Sequence, residues 1–217
     1  MLSALVTGIL LGLSAALAPG PLLALLLAQS LQYGPREGCK IALAPLITDL
    51  PIILVTLLLA SAAPRFEAGL GLLSLAGGAF VFWLAVASWR APRFDATPPI
   101  ASAQSWRKGI LVNLLNPHPW LFWLTVGAAT LAKALADSRL AAALFVASFY
   151  ACLVGSKVVL AVLAGRSRAF LSGRLYRWAL RLLGVLMAAF ALLLLREGLK
   201  HLGASVWRLA VFQVLCG

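Results

Sequence analysis

Long apolar stretches interrupted by short polar segments make up almost the whole chain. Six of these stretches are close to the length that crosses a bilayer, because about 20 residues at helical rise span roughly 30 Å of hydrocarbon. They cover approximately residues 2–31, 41–63, 68–89, 109–132, 140–164 and 178–195. The pattern predicts an all-α integral membrane protein with six transmembrane helices.

Composition supports the same class and excludes others. The chain is 63% hydrophobic and 11% charged, with a mean hydropathy of +1.00, which lies outside the range of soluble domains. The net charge of +12 reflects cytoplasmic loops more often than nucleic-acid binding in such a protein, so we expect membrane lipids and no nucleic acid as partners. Cys39, Cys152 and Cys216 lack the spacing of a disulfide or metal site, and no nucleophile and base form a catalytic pattern. We therefore expect no cofactor, no metal and no enzymatic activity.

Basic residues indicate the orientation of the spans. Ten Lys and Arg residues fall in the loops after the first, third and fifth stretches, and six fall on the opposite side. Because Lys and Arg concentrate in cytoplasmic loops, those three loops are predicted to be cytoplasmic and both termini to lie outside.

Two doubled prolines interrupt the first and fourth stretches. Pro19-Gly20-Pro21 recurs 98 positions later as Pro117-His118-Pro119. Proline removes a backbone donor and clashes with the preceding turn, and in lipid such a break is tolerated only beside protein or a water-filled cavity. Each motif is predicted to end one half-helix and start another, near Pro21 and near Pro119, with an N-terminus that favours anions.

The matching breaks divide the chain into two related halves. Residues 1–89 and 107–200 are predicted to be three-helix repeats of opposite orientation, because the fourth span follows an odd number of spans. A cytoplasmic linker, residues 90–106, joins them, and a C-terminal tail, residues 201–217, follows. Inverted repeats with broken helices are typical of secondary transporters, whose substrate binds at the breaks.

Asp49 is the only acidic residue well inside a predicted span, roughly 13 Å from the cytoplasmic interface at helical rise. Burying such a charge costs about 2.5–3.5 kcal/mol on insertion scales, so a role is expected. Asp49 either binds a cationic group or a coupling proton, or it is protonated or caps a restarted helix. Pro45 and Pro51 predict an unwound stretch around Thr48 and Asp49, whose carbonyls would be exposed.

Other polar residues near the breaks have two interpretations each. Asn113 and Asn116, one helical turn apart, join helices or bind a polar substrate. His118 is a proton or substrate group, or a polar filler at an aqueous cavity. Lys157 is predicted to extend toward the cytoplasmic side of the fifth span, or, on the sign of its charge alone, to pair with Asp49.

Several of these residues belong to one ordered set of motifs. The set is Ala18-Pro19-Gly20-Pro21, Gln29, Tyr33-Gly34, Gly38, Asp49, Gly109 and Asn113-Leu114-Leu115-Asn116-Pro117. In this order it resembles the lysine exporter (LysE/RhtB) family of amino-acid efflux proteins over nearly the whole chain. The resemblance implies a multi-pass exporter of amino acids or related metabolites in the bacterial inner membrane, driven by an ion gradient. Leu22 and His118 depart from the family pattern, which has a polar and a basic residue at these places.

The sequence therefore predicts a secondary active transporter, with protons as the expected coupling ion. The substrate carboxylate would meet the half-helix N-termini, and Asp49 would bind the ammonium group or the proton. A different small solute, a metal cation or a non-transporting scaffold stay open as alternatives, and a homo-oligomer is compatible with the sequence. The candidate substrate-binding residues are Pro19, Gly20, Pro21, Leu22, Asp49, Asn113, Asn116, Pro117 and His118, and Asp49 is also the candidate ion-coupling residue.

Overall fold

The computed structural model describes residues 1–59, 63–89, 104–167 and 173–216, and every element in these ranges is helical. The helices are α1 (Leu2–Leu17), α2 (Pro21–Tyr33), α3 (Pro35–Ala42), α4 (Ala44–Leu59), α5 (Ala63–Trp89), α6 (Ser105–Leu115), α7 (Pro117–Phe122), α8 (Ala128–Asp137), α9 (Arg139–Ser167) and α10 (Gly173–Cys216). A short π-helix, Trp123–Gly127, connects α7 to α8.

Among the described residues, four helical segments are long and apolar enough to cross a membrane. They are Pro35–Thr56, Pro117–Asp137, Arg139–Ser167 and Arg177–His201, and the bent pair α1 and α2 makes a fifth if it is counted as one span. Within α5, Gly71–Ala87 is a shorter apolar helix. Large apolar side chains such as Leu50, Leu163 and Leu192 lie exposed on the outer surface, as lipid-facing residues do. The prediction of an all-α, multi-pass membrane protein is confirmed.

The first proline motif breaks its helix at the predicted place. α1 ends at Leu17 and α2 begins at Pro21, and the two axes differ by 65°. Gly20 is extended, with φ −170° and ψ 173°, so the chain leaves one helix before it enters the next. Pro21 occupies the first turn of α2, where its missing N–H has no intrahelical partner to lose.

The second break differs from the prediction by two residues. The new helix starts at Pro117 rather than near Pro119, because the Asn116 side chain caps it by accepting a hydrogen bond from the His118 N–H at 3.1 Å. Pro119 then lies in the first turn, where backbone N–H groups have no intrahelical acceptor, and so it does not interrupt the helix.

The predicted unwinding around Thr48 and Asp49 is wrong. α4 runs without a break from Ala44 to Leu59 and includes Pro51. Pro45 lies in the first turn, where proline costs no hydrogen bond, and Pro51 removes only one bond from the middle of the helix. Asp49 is therefore on a continuous helix.

Small residues let α1 lie close along α9. Every fourth residue of α1, namely Ala4, Gly8, Gly12 and Ala16, is buried. A side chain at Gly12 would overlap the Phe149 carbonyl oxygen, so only glycine permits this approach. Buried residues recur at the same interval along α9: Ala141, Phe145, Phe149, Leu153, Lys157, Ala161 and Gly165. This small-residue spacing is a common way to join helices in lipid, and here it connects the first break to α9.

Three segments outside the predicted spans are the linker, the tail and the loop after the first span. Most of the predicted linker, residues 90–103, lies outside the described residues. Residues 201–216 of the predicted tail continue α10, which extends to Cys216, and residue 217 lies outside the described residues. Arg36 and Lys40, predicted to be in a loop, lie on α3, which Gly34 separates from α2 with φ 94°.

Candidate functional site

A cavity of about 530 Å³ lies where the two helix breaks meet. Its wall comes from the end of α1, the start of α2, α4, α6, α7, the π-helix, α9 and α10. All nine candidate residues line it: Pro19, Gly20, Pro21, Leu22, Asp49, Asn113, Asn116, Pro117 and His118. Its size is within the range of small-molecule sites.

Asp49 is the buried anionic group of this cavity, with 4% of its surface exposed. Its Oδ1 accepts a hydrogen bond from Asn113 Nδ2 at 3.1 Å. Its Oδ2 accepts from the Tyr150 hydroxyl at 3.2 Å and, at a longer 3.5 Å, from Trp123 Nε1. Neutral donors from three other elements thus hold the carboxylate, as a buried charge requires.

Asn113 joins α6 to α4 beside this carboxylate. Its Nδ2 also donates to Thr48 Oγ1 at 2.6 Å, while the Thr48 hydroxyl donates to the Ala44 carbonyl at 3.0 Å. Asn113 therefore connects helices and holds Asp49, and because it also lines the cavity, its other interpretation, substrate binding, stays a prediction. Asn116 instead caps α7, and His118 lies exposed at the cavity wall.

Aromatic rings form the apolar side of the cavity. Phe122 and Phe149 stack with centroids 5.4 Å apart and an interplanar angle of 12°, and Trp123 meets both rings edge-on. Tyr150 makes a further edge contact with Phe149 at 5.1 Å. These ring contacts hold Trp123 and Tyr150 in place, and both donate to Asp49 Oδ2, whereas Asn113 donates to Oδ1.

Lys157 does not extend toward the cytoplasmic side as predicted. It is 4% exposed, and its Nζ donates to the carbonyl oxygens of Ala16 at 3.1 Å and Ala15 at 3.4 Å. Pro19 is four residues after Ala15 and has no N–H to offer this carbonyl, so the break itself creates the acceptor. Lys157 thus caps the C-terminus of α1, where a cation is also favoured by the helix dipole.

The sequence analysis missed four side chains of this site: Trp123, Lys157 and Glu197 line the cavity, and Tyr150 contacts Asp49. Trp123, Tyr150 and Glu197 were not recognised, and Lys157 was assigned a different direction. Glu197 lies on α10 and accepts from Lys200 Nζ at 2.7 Å. One sequence signal was available for Lys157, because it falls on the four-residue repeat of buried positions along α9. The other three carry no comparable signal.

Comparison with known proteins gives one family. A model described as LysE type translocator matches residues 13–198. The uncharacterized membrane protein YahN of Escherichia coli (strain K12) is 28% identical over 201 residues, covering 84% of this chain and 85% of the relative. No solved structure gives a significant match.

Proposed function

The chain belongs to the LysE type translocator family, and on that premise we propose that it exports amino acids or related small metabolites across the bacterial inner membrane. The observation that carries the proposal is the 530 Å³ cavity, which collects both helix breaks and the buried Asp49 in one place. Transporters bind substrate where broken helices meet, and an intramembrane carboxylate there is a functional group by default.

Asp49 is the group to which we assign coupling, with protons as the coupling ion. Three neutral donors hold the carboxylate, and no Lys or Arg nitrogen comes within 4.0 Å of it in the described part of the chain. A carboxylate without a fixed counter-ion is able to exchange a proton or to bind a substrate ammonium group.

The substrate carboxylate is assigned to the start of α2. The first N–H groups of α2 have no side-chain cap, whereas Asn116 already accepts from the His118 N–H at the start of α7. Free N–H groups at a helix start favour anions. Of the two half-helix N-termini that were predicted to meet the substrate carboxylate, we therefore keep the one near Gly20 and Leu22 and not the one near His118.

The direction of helix packing supports two inverted three-helix repeats. α1 and α9 are parallel, since Gly8 meets Phe145 and Gly12 meets Phe149. α6 runs parallel to α3 and α4, since Gly109 meets Ile41 and Asn113 meets Thr48. α1 and α6 are the first elements of the two proposed halves, and the segment of α3 and α4 corresponds to α9. In both pairs, the first span of one half therefore runs parallel to the second span of the other half, as two related halves require. Rocking of one half against the other around the cavity would then give alternating access.

Efflux from proteoliposomes tests the proposal. Vesicles loaded with a labelled amino-acid mixture are compared with and without a proton gradient, for the parent, Asp49→Asn, and Asp137→Asn, an exposed matched control at the end of α8. We expect gradient-dependent loss of one or a few compounds from the parent and the control only. Full efflux by Asp49→Asn removes Asp49 from the mechanism, and no loss of any compound from the parent removes amino-acid export.

A further inference from the structure

Two opposite charges face the cavity without pairing with each other. Asp49 and Lys157 both line it, and each is 4% exposed. Neutral side chains hold the carboxylate, and two backbone carbonyls hold the ammonium group. No ion pair joins these two described residues within 4.0 Å. Because both charged groups line the same cavity, a ligand in that cavity can contact the two of them at once.

Each charge also keeps one hydrogen-bonding position. A lysine ammonium group has three N–H donors, and the Ala15 and Ala16 carbonyls accept two of them. A carboxylate has about four lone-pair positions, and Asn113 and Tyr150 fill two of them at 3.1 and 3.2 Å. Trp123 at 3.5 Å and Thr48, whose hydroxyl donates to the Ala44 carbonyl, hold the carboxylate only weakly. One charged donor and one charged acceptor therefore remain for a ligand.

The rest of the wall is mainly apolar. Phe122, Phe149, Leu153, Phe190 and Leu194 line it together with other leucines. The further carboxylate in the wall, Glu197, is already paired with Lys200. A ligand with a third charge would place it against apolar side chains, at a cost that a neutral side chain avoids.

We infer that the cavity binds a zwitterionic amino acid with an uncharged, apolar side chain, whose carboxylate contacts Lys157 and whose ammonium group contacts Asp49. The inference rests on the proposed export function and names its substrate class. Lys157 lies at the C-terminus of α1, beside the start of α2, so it adds a charged donor to the carboxylate site assigned there. Bound in this way, the substrate neutralises both buried charges at once.

Heat stability of the detergent-purified protein tests the substrate class, because a ligand that binds the folded state raises the melting temperature. Leucine is compared with lysine and glutamate. It is also compared with 3-methylbutylamine, which lacks the carboxylate, and with 4-methylpentanoate, which lacks the ammonium group. We expect leucine to bind about tenfold or more tightly than each of the other four, the effect of one lost or one surplus charged contact.

Variants test which residue contacts the carboxylate of the substrate and which contacts its ammonium group. Lys157→Met should reduce leucine binding to the level of the amine and leave amine binding unchanged. Asp49→Asn should reduce leucine binding to the level of the acid and leave acid binding unchanged. Lys133→Met and Asp137→Asn, both exposed on α8, are the matched controls and should keep the parent's preferences. Lys157→Arg retains the charge and keeps the preference for leucine over the amine.

Each outcome decides a different claim. Equal binding of lysine or glutamate by the parent overturns the inference and leaves amino-acid export intact. Equal binding of leucine and the amine by the parent overturns the role of Lys157. This comparison needs no variant, so it decides the claim even if the Lys157→Met protein does not fold. If no amino acid stabilises the parent, the inference is overturned, and the efflux experiment decides separately whether the export proposal falls too.

Discussion

Replacing Asn113 with leucine removes both polar contacts by which α6 holds the Asp49 segment of α4. Its Nδ2 donates to Asp49 Oδ1 at 3.1 Å and to Thr48 Oγ1 at 2.6 Å, and Asn113 itself is 3% exposed. Leucine occupies a similar volume but donates nothing. The change therefore tests the polar network rather than the packing.

The magnitude follows from the two bonds. A hydrogen bond to a charged group contributes about 1.5–3 kcal/mol and a neutral one about 0.5–1.5 kcal/mol. Asp49 lines the cavity, so water can replace part of the lost contact. We expect a net loss of about 1–3 kcal/mol, which lowers the melting temperature by roughly 2–12 °C for a chain of this size.

Thermal unfolding in detergent, followed by the fraction of monodisperse protein, measures this loss. Asn116→Leu is the matched control, because it removes only a helix cap that is worth about 1 kcal/mol. A double-mutant cycle with Asp49→Asn should give a coupling of about 1 kcal/mol or more between the two positions. A melting temperature for Asn113→Leu within about 1 °C of the parent would refute the reasoning.

Two glycine substitutions test the packing and the turn. Gly12→Leu should cost about 3 kcal/mol or more and greatly reduce the yield of folded protein, because its Cβ meets the Phe149 carbonyl. The control Gly155→Leu, on the open face of α9, should give the same yield of detergent-extracted protein as the parent. Equal yields of the Gly12→Leu and Gly155→Leu proteins would contradict the contact between α1 and α9. Gly34→Ala should cost about 1–3 kcal/mol, since φ 94° with ψ 172° is a region used almost only by glycine. The control Gly203→Ala, inside α10 with free space around it, should leave the melting temperature unchanged or higher. The same result for Gly34→Ala would contradict the positive φ of Gly34 between α2 and α3.

Proline chemistry and hydropathy act over a few neighbouring residues, so the sequence alone locates their effects. The break at Pro19 to Pro21 and the helical membrane class follow directly from it. The two-residue error at the second break also has a local cause. The Asn116 side chain caps the new helix, so the helix starts at Pro117 and not at Pro119. The predicted unwinding at Asp49 failed because a single mid-helix proline removes too little hydrogen bonding to end α4.

The sequence by itself determined that Asn113, Asn116 and His118 lie near the second break, and only the tertiary structure decided what each one contacts and which other side chains join them. Tyr150 reaches Asp49 across 101 positions of sequence, and Lys157 reaches the Ala16 carbonyl across 141. The Lys157 contact depends on how α9 packs against α1, which the small residues from Ala4 to Ala16 permit, and the Tyr150 contact also depends on where α4 lies. A side chain's partner is set by the helix that packs beside it, and hydropathy along one chain segment does not specify that neighbour.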